Sequence, residues 1–261
     1  MAVPPLKKFL VVSKKNLTHD VFELQLERPA SSVSDDYALE FKAGQYLSVV
    51  VPGAGPGGRN LRRAYSIASP PETPYLELCV KLVEGGPGTN YLNSLKVGDY
   101  LEGQAPFGHF VLNHDQTKPC VFIGTGTGVA PHRSMILSQE WQSRAPLAFL
   151  LGVRSESDIL YPELFNGSTP VLCDHKHVAI TLSRPQATSS EALKKVSQHH
   201  GGAHITTGRV TAYLETMRSD GFPTAEAHYY LCGNGAMITD VKAWLETQNV
   251  TKEQIHTEKY F

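Results

Sequence analysis

Only four cysteines occur in 261 residues, and Cys79, Cys120, Cys173 and Cys232 stand far apart in the chain. There is thus no Cys-x-x-Cys pair to hold zinc and no ligand spacing for an iron–sulfur cluster, so no metal centre is expected. Any electron chemistry must use an organic cofactor, and three of the thiols read as small buried apolar residues. Positive charge is not in excess either: 24 Lys and Arg against 25 Asp and Glu leave a formal net charge of -1. That balance argues against nucleic acid as the main partner, because duplex binding requires a basic face that neutralises several phosphates. No apolar run approaches the roughly 20 residues that cross a bilayer. The stretch from Met1 to Lys15 lacks the order of a secretory signal, and the expected location is the cytoplasm. Internal repeats are also absent.

What is present divides in two. A length of 261 residues suits two domains of ordinary size. From Phe9 to about Leu112 the pattern is one of short strands. Phe22, Leu24 and Leu26 alternate with polar residues over Asp20 to Glu27, the period of two of a half-buried strand. Further strands are predicted over Gln45 to Val51, Arg62 to Ser69 and Tyr75 to Val83, separated by the turn-rich stretches Pro52 to Gly58 and Pro70 to Pro74. This reads as an antiparallel barrel or sandwich with one short helix, opening near Thr89 and ending before Gly98. After Thr117 strands and helices alternate. Strands are predicted at Cys120 to Ile123, Leu147 to Val153, Val178 to Leu182 and His228 to Cys232, and helices at Ala130 to Gln142, Thr211 to Met217 and Ala236 to Gln248. Such alternation implies a parallel sheet covered on both faces, with ligands beyond the carboxyl ends of its strands. The boundary is placed at Asp115 to Lys118, giving domains 1–116 and 117–261. The run His199-His200-Gly201-Gly202 reads as a surface loop.

Three segments carry recognisable chemistry. In Arg63-Ala64-Tyr65-Ser66, Arg63 can make two parallel charge-assisted hydrogen bonds to a pyrophosphate, Tyr65 offers a flat ring, and Ser66 a donor and acceptor beside it. The segment Gly86-Pro87-Gly88-Thr89 leads into a helix start capped by Thr89, whose unpaired N–H groups can seat the same pyrophosphate. Gly124 to Pro131 follows the apolar strand Cys120 to Ile123, and its glycines permit close approach of a dinucleotide backbone. The spacing is not Gly-x-Gly-x-x-Gly, since Val129 stands where the third glycine belongs, so a generic dehydrogenase fingerprint is the poorer match.

With Gly44-Gln45-Tyr46, Leu78-Cys79-Val80-Lys81, Pro106-Phe107-Gly108, Cys232-Gly233-Asn234 and the terminal Glu258-Lys259-Tyr260, these segments make an ordered series. In that order the chain resembles the ferredoxin-NADP reductase family and its flavoprotein relatives over essentially its whole length. The resemblance implies a two-domain architecture, an FAD-binding antiparallel Greek-key β-barrel followed by an α/β parallel-sheet, Rossmann-like NADP-binding domain. It implies that Arg63, Ala64, Tyr65 and Ser66 meet FAD, with Ser66 near flavin N5, that Cys79, Val80 and Lys81 line the ribityl and ring edge, and that Gly86, Gly88 and Thr89 hold the FAD pyrophosphate. Gly126, Thr127 and Gly128 would accept the NADP pyrophosphate. Ser183, Arg184 and Arg209 resemble the family's grip on the adenosine 2'-phosphate, with Arg154 a further cation. Ser66, Cys232, Glu258 and Tyr260 are the catalytic candidates, aligning the reacting rings. The resemblance places the Tyr260 ring against the flavin, with Phe261, which follows the tyrosine at which plant-type members end, as a second cofactor-binding candidate on the adenine or else simply packed; His132 replaces an aromatic often found after the Ala-Pro pair.

The reaction implied is hydride transfer between NADP(H) and flavin, followed by single-electron steps to or from ferredoxin or flavodoxin, acidic carriers, by a monomer. Two other readings stand beside it. One is an oxygenase reductase component or a cytochrome b5 reductase relative; the latter favours Thr after the tyrosine and Cys-Gly-Pro, where this chain has Ser66 and Asn234. The other is a non-catalytic nucleotide-sensing subunit. Lys7, Lys8, Lys14, Lys15, Arg59 and Arg62 could form a basic patch for an acidic carrier, although simple solvated surface charges are the first expectation for them.

Overall fold

The structure, a computed structural model, describes residues 3–28, 39–112, 118–141, 147–165, 177–186, 189–200 and 202–260. The chain groups into two units, Met1–Leu112 with Arg133–Gln139, and Asn113–His132 with Glu140–Phe261. The boundary expected at Asp115 to Lys118 lies almost wholly outside the described residues.

The first unit is built on β1 (Lys7–Asn16), β2 (Val21–Glu27), β3 (Tyr46–Val51), β4 (Leu61–Ser66), β5 (Tyr75–Lys81) and β6 (Tyr100–Phe107). Every pairing is antiparallel, in the order β4-β3-β6-β1-β2-β5. A bridge between Ile67 and Leu78 joins the two ends into a barrel. Strand alternation sends Phe9, Val11, Leu24, Leu26, Leu47, Val49, Leu76 and Leu78 inward, all fully buried; each such side chain contributes about 1.5–3 kcal/mol relative to exposure. Helix α1 (Pro87–Ser94) packs Leu92 into this core. It begins at Gly86, with Pro87 in its first turn and no side-chain cap, so Thr89 is not the cap expected from the sequence. Its hydroxyl instead bonds back to the Gly86 carbonyl at 3.2 Å and accepts from the Val83 N–H at 3.2 Å, closing the preceding loop. Lys14 satisfies the other end of α1 by donating to the Asn93 and Leu95 carbonyls.

Part of α2 (Val129–Leu137) also belongs to the first unit. Arg133, with its side chain 15% exposed, meets Glu77 (17%) at 2.5 Å and the Ala68 carbonyl at 2.9 Å. Ser134 donates to the Ser69 carbonyl at 2.6 Å.

The second unit holds a parallel sheet of β7 (Cys120–Thr125), β8 (Leu147–Val153), β9 (His177–Leu182), β10 (Ile205–Thr207), β11 (His228–Asn234) and β12 (Ile255–Tyr260). The order is β10-β9-β8-β7-β11-β12. One face is covered by α4 (Val210–Ser219) and α5 (Gly235–Thr247), packing Leu214, Met217, Val241 and Leu245 on Val121, Ile123, Leu150 and Leu231. The other carries an aromatic row in which Phe122 contacts Tyr230 at 5.1 Å, Trp141 at 5.3 Å and Phe149 at 6.3 Å between ring centroids. α3 (Ser190–His199) was not foreseen; Ser189 caps it by accepting from Ala192 N–H, and His199 closes it rather than opening a loop. Gly201, from the same loop assignment, lies outside the described residues. The helix expected from Ala130 to Gln142 ends at Leu137 and is followed by a short 3-10 turn, Gln139–Trp141.

Candidate functional site: two nucleotide cradles

In the first unit, Gly88 lies in the opening turn of α1 with no side chain of its own. A Cβ there would meet the Tyr65 hydroxyl at 2.7 Å and Arg63 Cγ at 2.9 Å. The helix amino terminus, the arginine and the tyrosine ring are thus in one place, and only glycine lets them approach. Arg63 and Ala64 are exposed, Tyr65 half-buried and Ser66 buried. Among the described residues Arg63 has no carboxylate partner, and its Nη1 donates to the Arg62 carbonyl at 2.9 Å. Burial pushes the Tyr65 phenol up to about 12 against the pull of Arg63, so it stays a neutral donor. A free guanidinium beside unpaired helix N–H groups is the donor set of a diphosphate. These residues fit the pyrophosphate of FAD.

On β5, Cys79 and Val80 are buried, and Val80 belongs to the barrel core. Lys81 is held by Asp20 at 2.8 Å. Burial pushes the Asp20 carboxyl up, but the bond and charge of Lys81 outweigh it and leave its pKa lowered.

In the second unit the candidates lie at or beyond the carboxyl ends of parallel strands, with Cys232, Glu258 and Tyr260 in the last residues of β11 and β12 themselves. Thr125 ends β7 and leads into the 3-10 turn Gly126–Gly128, which runs straight into α2. Arg154 follows β8, Ser183 and Arg184 follow β9, and Arg209 precedes α4 as its N-cap. Short backbone bonds hold these ends together: Arg184 N–H to the Arg154 carbonyl at 2.7 Å, Ser183 N–H to Val153 at 3.0 Å, and Gly208 N–H to Leu182 at 2.8 Å. All three arginines are exposed; Arg209 approaches Asp240 of α5 at 3.8 Å. The sheet order turns back between β7 and β11, the place where open α/β sheets leave a crevice for a nucleotide.

Both sides of that crevice are locked by missing side chains. A Cβ on Gly128 would collide with the Cys232 carbonyl oxygen and meet Gly233 Cα at 3.0 Å. Gly233, at φ +126°, in turn lies against Thr125, whose hydroxyl accepts from Asn234 N–H at 2.9 Å. Gly126, at φ +53°, faces open space. Strand register sets Glu258 beside Cys232 and Tyr260 beside Asn234. The Cys232 thiol is fully buried, donates to Glu258 Oε2 at 3.9 Å and receives the Tyr260 side chain as a further partner. Burial, then the Glu258 charge, raise the thiol well above its ordinary pKa, so it is held protonated. Open space over an amino-terminal glycine turn fits a dinucleotide pyrophosphate. Phe261 lies outside the described residues.

The sequence marks the glycine turn, Cys232 and Glu258 as candidates but does not by itself show that Asn234 and Thr125 pair to tie β11 to β7. A short polar residue beside each glycine motif was the available signal.

The two cradles, on an antiparallel barrel and on a parallel α/β sheet, define a two-domain oxidoreductase that binds a flavin and a nicotinamide dinucleotide. Residues 8–112 match the oxidoreductase FAD-binding domain family and residues 122–243 the oxidoreductase NAD-binding domain family. The chain is 35% identical over 257 residues to ferredoxin–NADP reductase B of Sorangium cellulosum, with 96% of each chain covered. It belongs to the ferredoxin–NADP reductase family. It is also 29% identical to the phenol hydroxylase P5 protein of Acinetobacter pittii, covering 96% of this chain but only 64% of that one. Among solved structures, the Amycolatopsis cytochrome P450 reductase superposes with a TM-score of 0.75 at 26% identity, over 99% of this chain and 71% of the other. A ferredoxin NADP+ reductase from Neisseria gonorrhoeae, with bound FAD and NADP, shares the fold at a TM-score of 0.77 and 20% identity, over 98% and 99%. No helix among the described residues is long and apolar enough to cross a membrane.

Proposed function

We propose that the chain is an NADPH-dependent ferredoxin or flavodoxin reductase. The observation that carries the reading is the interlocked pair of loops in the second unit: the pyrophosphate turn at Gly126–Gly128 touches the backbone of Cys232, so binding a dinucleotide at one fixes it against the other. When bound, FAD accepts a hydride from the nicotinamide and releases electrons singly. The protein contributes position and electrostatics. Arg63 and the Gly88-Thr89 turn would hold the flavin's diphosphate, Tyr65 would pack on its ring, Ser66 would offer a hydrogen bond near N5, and Cys79 to Lys81 would border the ribityl chain. Gly126, Thr127 and Gly128 seat the nicotinamide dinucleotide. Cys232, a neutral thiol under Glu258 and Tyr260, provides a polar but uncharged wall for the nicotinamide and aligns it without ionising.

Arg154, Ser183, Arg184 and Arg209 favour NADPH over NADH. Charge-assisted bonds contribute roughly 1.5–3 kcal/mol each, so one phosphate contact corresponds to about ten- to a hundredfold preference. Similarity to the Sorangium ferredoxin–NADP reductase supports a small carrier as partner. Several other relatives are reductase components of phenol and propane monooxygenases, which supports a second reading in which an oxygenase takes the electrons. Anaerobic turnover with NADPH against a panel of ferredoxins, flavodoxins and oxygenase components separates the two. Saturable reduction of a ferredoxin or flavodoxin is expected, and reduction of oxygenase components alone would replace this reading with the second. We also propose that the protein acts as a cytoplasmic monomer.

A further inference from the structure

His132 is fully buried in α2, four residues after Gly128. Its ring lies 5.4 Å from Phe122 and, edge-on at 88°, 6.1 Å from Phe149, and Phe122 in turn stacks on Tyr230 at 5.1 Å. Nδ1 is 3.2 Å from where a Cβ on Gly124 would stand, and the Gly128 carbonyl is 3.2 Å from the same point. An imidazole in such surroundings is costly to desolvate, and a phenyl ring would fill a similar volume without polar atoms. What histidine adds is its nitrogens.

Nδ1 lies against the end of β7, at the point the first turn of α2 also approaches, and the ring packs on Phe122, which itself stacks on Tyr230 in the middle of β11. The same elements carry Gly126–Gly128 and, two residues beyond Tyr230, Cys232. We infer that His132 is a positioning residue, an uncharged polar strut that sets the spacing between the glycine turn and the Cys232 loop. Burial drives its pKa down to about 3 against the opposing influence of the Tyr230 backbone, so the strut keeps one state across the working pH range. The inference rests on the reading of these two loops as the dinucleotide site.

The test uses the full-length holoprotein with His132→Phe, His132→Asn, His132→Gln and, as control, Gly128→Ala. FAD content, Tm, NADP+ affinity by calorimetry, and KM and kcat for anaerobic NADPH oxidation are read for each. H132F is expected to keep its FAD while NADP+ affinity falls about tenfold, the effect of a displacement of a few tenths of an ångström at a site where about 1 Å can cost a hundredfold. At least one of H132N and H132Q is expected to recover part of that loss. Parental affinity and KM in H132F, whatever its Tm, would overturn the inference. Should G128A bind NADP+ normally as well, the site itself is misplaced; should only G128A be impaired, His132 alone is. If H132F does not fold, the imidazole nitrogen resonances of the parent decide. A neutral ring from pH 5 to 8 that shifts on adding NADP+ is expected, and a ring indifferent to NADP+ contradicts the strut.

Discussion

Gly128→Ala is the sharpest perturbation of the second cradle. The added methyl would stand against the Cys232 carbonyl oxygen, 2.7 Å from its carbon and 3.0 Å from Gly233 Cα. Carbon atoms at rest are about 3.5–4.0 Å apart, so one backbone must yield by roughly 1 Å. β11 cannot retreat easily: it is hydrogen-bonded to β7 on one side and β12 on the other. The glycine turn moves instead. Overpacking of this kind costs about 1–3 kcal/mol of stability, and a displacement near 1 Å at a reacting site costs about a hundredfold in rate. The assay is stopped-flow reduction of bound FAD by NADPH without oxygen, beside thermal unfolding. The rate is expected to fall about a hundredfold while FAD content stays parental. Gly126→Ala provides the contrast: its Cβ meets nothing, so the stability cost is about 1–2 kcal/mol of left-handed backbone strain alone. A G128A protein with parental hydride-transfer rate and Tm would refute the packing argument.

Other outcomes follow from single contacts. Arg184→Ala should raise the KM for NADPH far more than that for NADH, and equal effects on both would remove Arg184 from the phosphate grip. Arg133→Met leaves the partly buried Glu77 without its cation and should destabilise the protein in chemical denaturation by about 2–4 kcal/mol, somewhat less than for a fully buried pair; a change below about 1 kcal/mol would show that the pair contributes little. Cys232 should resist alkylation in the native protein at pH 8, because burial and then the Glu258 carboxylate keep its thiol protonated, and Glu258→Gln should lower the thiol pKa; fast native alkylation would contradict the buried geometry. The lowered pKa of Asp20 adds stability that is present above its unfolded value of 3.8 and lost as pH falls through the folded pKa. Asp20→Asn should therefore flatten the acid limb of the stability curve by up to about 1 kcal/mol, read from urea midpoints between pH 2 and 6.

Where hydrophobic period and punctuation agree, the elements were legible. Phe22, Leu24 and Leu26 announce β2, and the apolar run Leu147–Val153 announces β8 at its observed limits. Elements whose burial depends on distant partners were not. β12 alternates half-buried and exposed residues as a sheet edge with a single neighbour, so Ile255–Tyr260 carries no strong strand pattern. α3 has no buried residue at all, and only its Ser189 cap betrayed it. At α1, Thr89 was mistaken for the cap because its hydroxyl does serve the loop; proline in the first turn moves the start to Gly86. The motif residues were recognised by type, whereas the contacts that set their geometry join positions far apart. Thr125 to Asn234, Gly128 to Cys232 and Arg133 to Glu77 are each products of the fold.

The most direct measurement is the visible absorption spectrum of the purified chain, supplied with FAD, before and after anaerobic addition of NADPH. Retained flavin bands that bleach on mixing are what two cradles of this kind require. A protein that takes up no FAD, or holds it and stays yellow with both NADPH and NADH, would contradict the assignment of these loops to a working oxidoreductase.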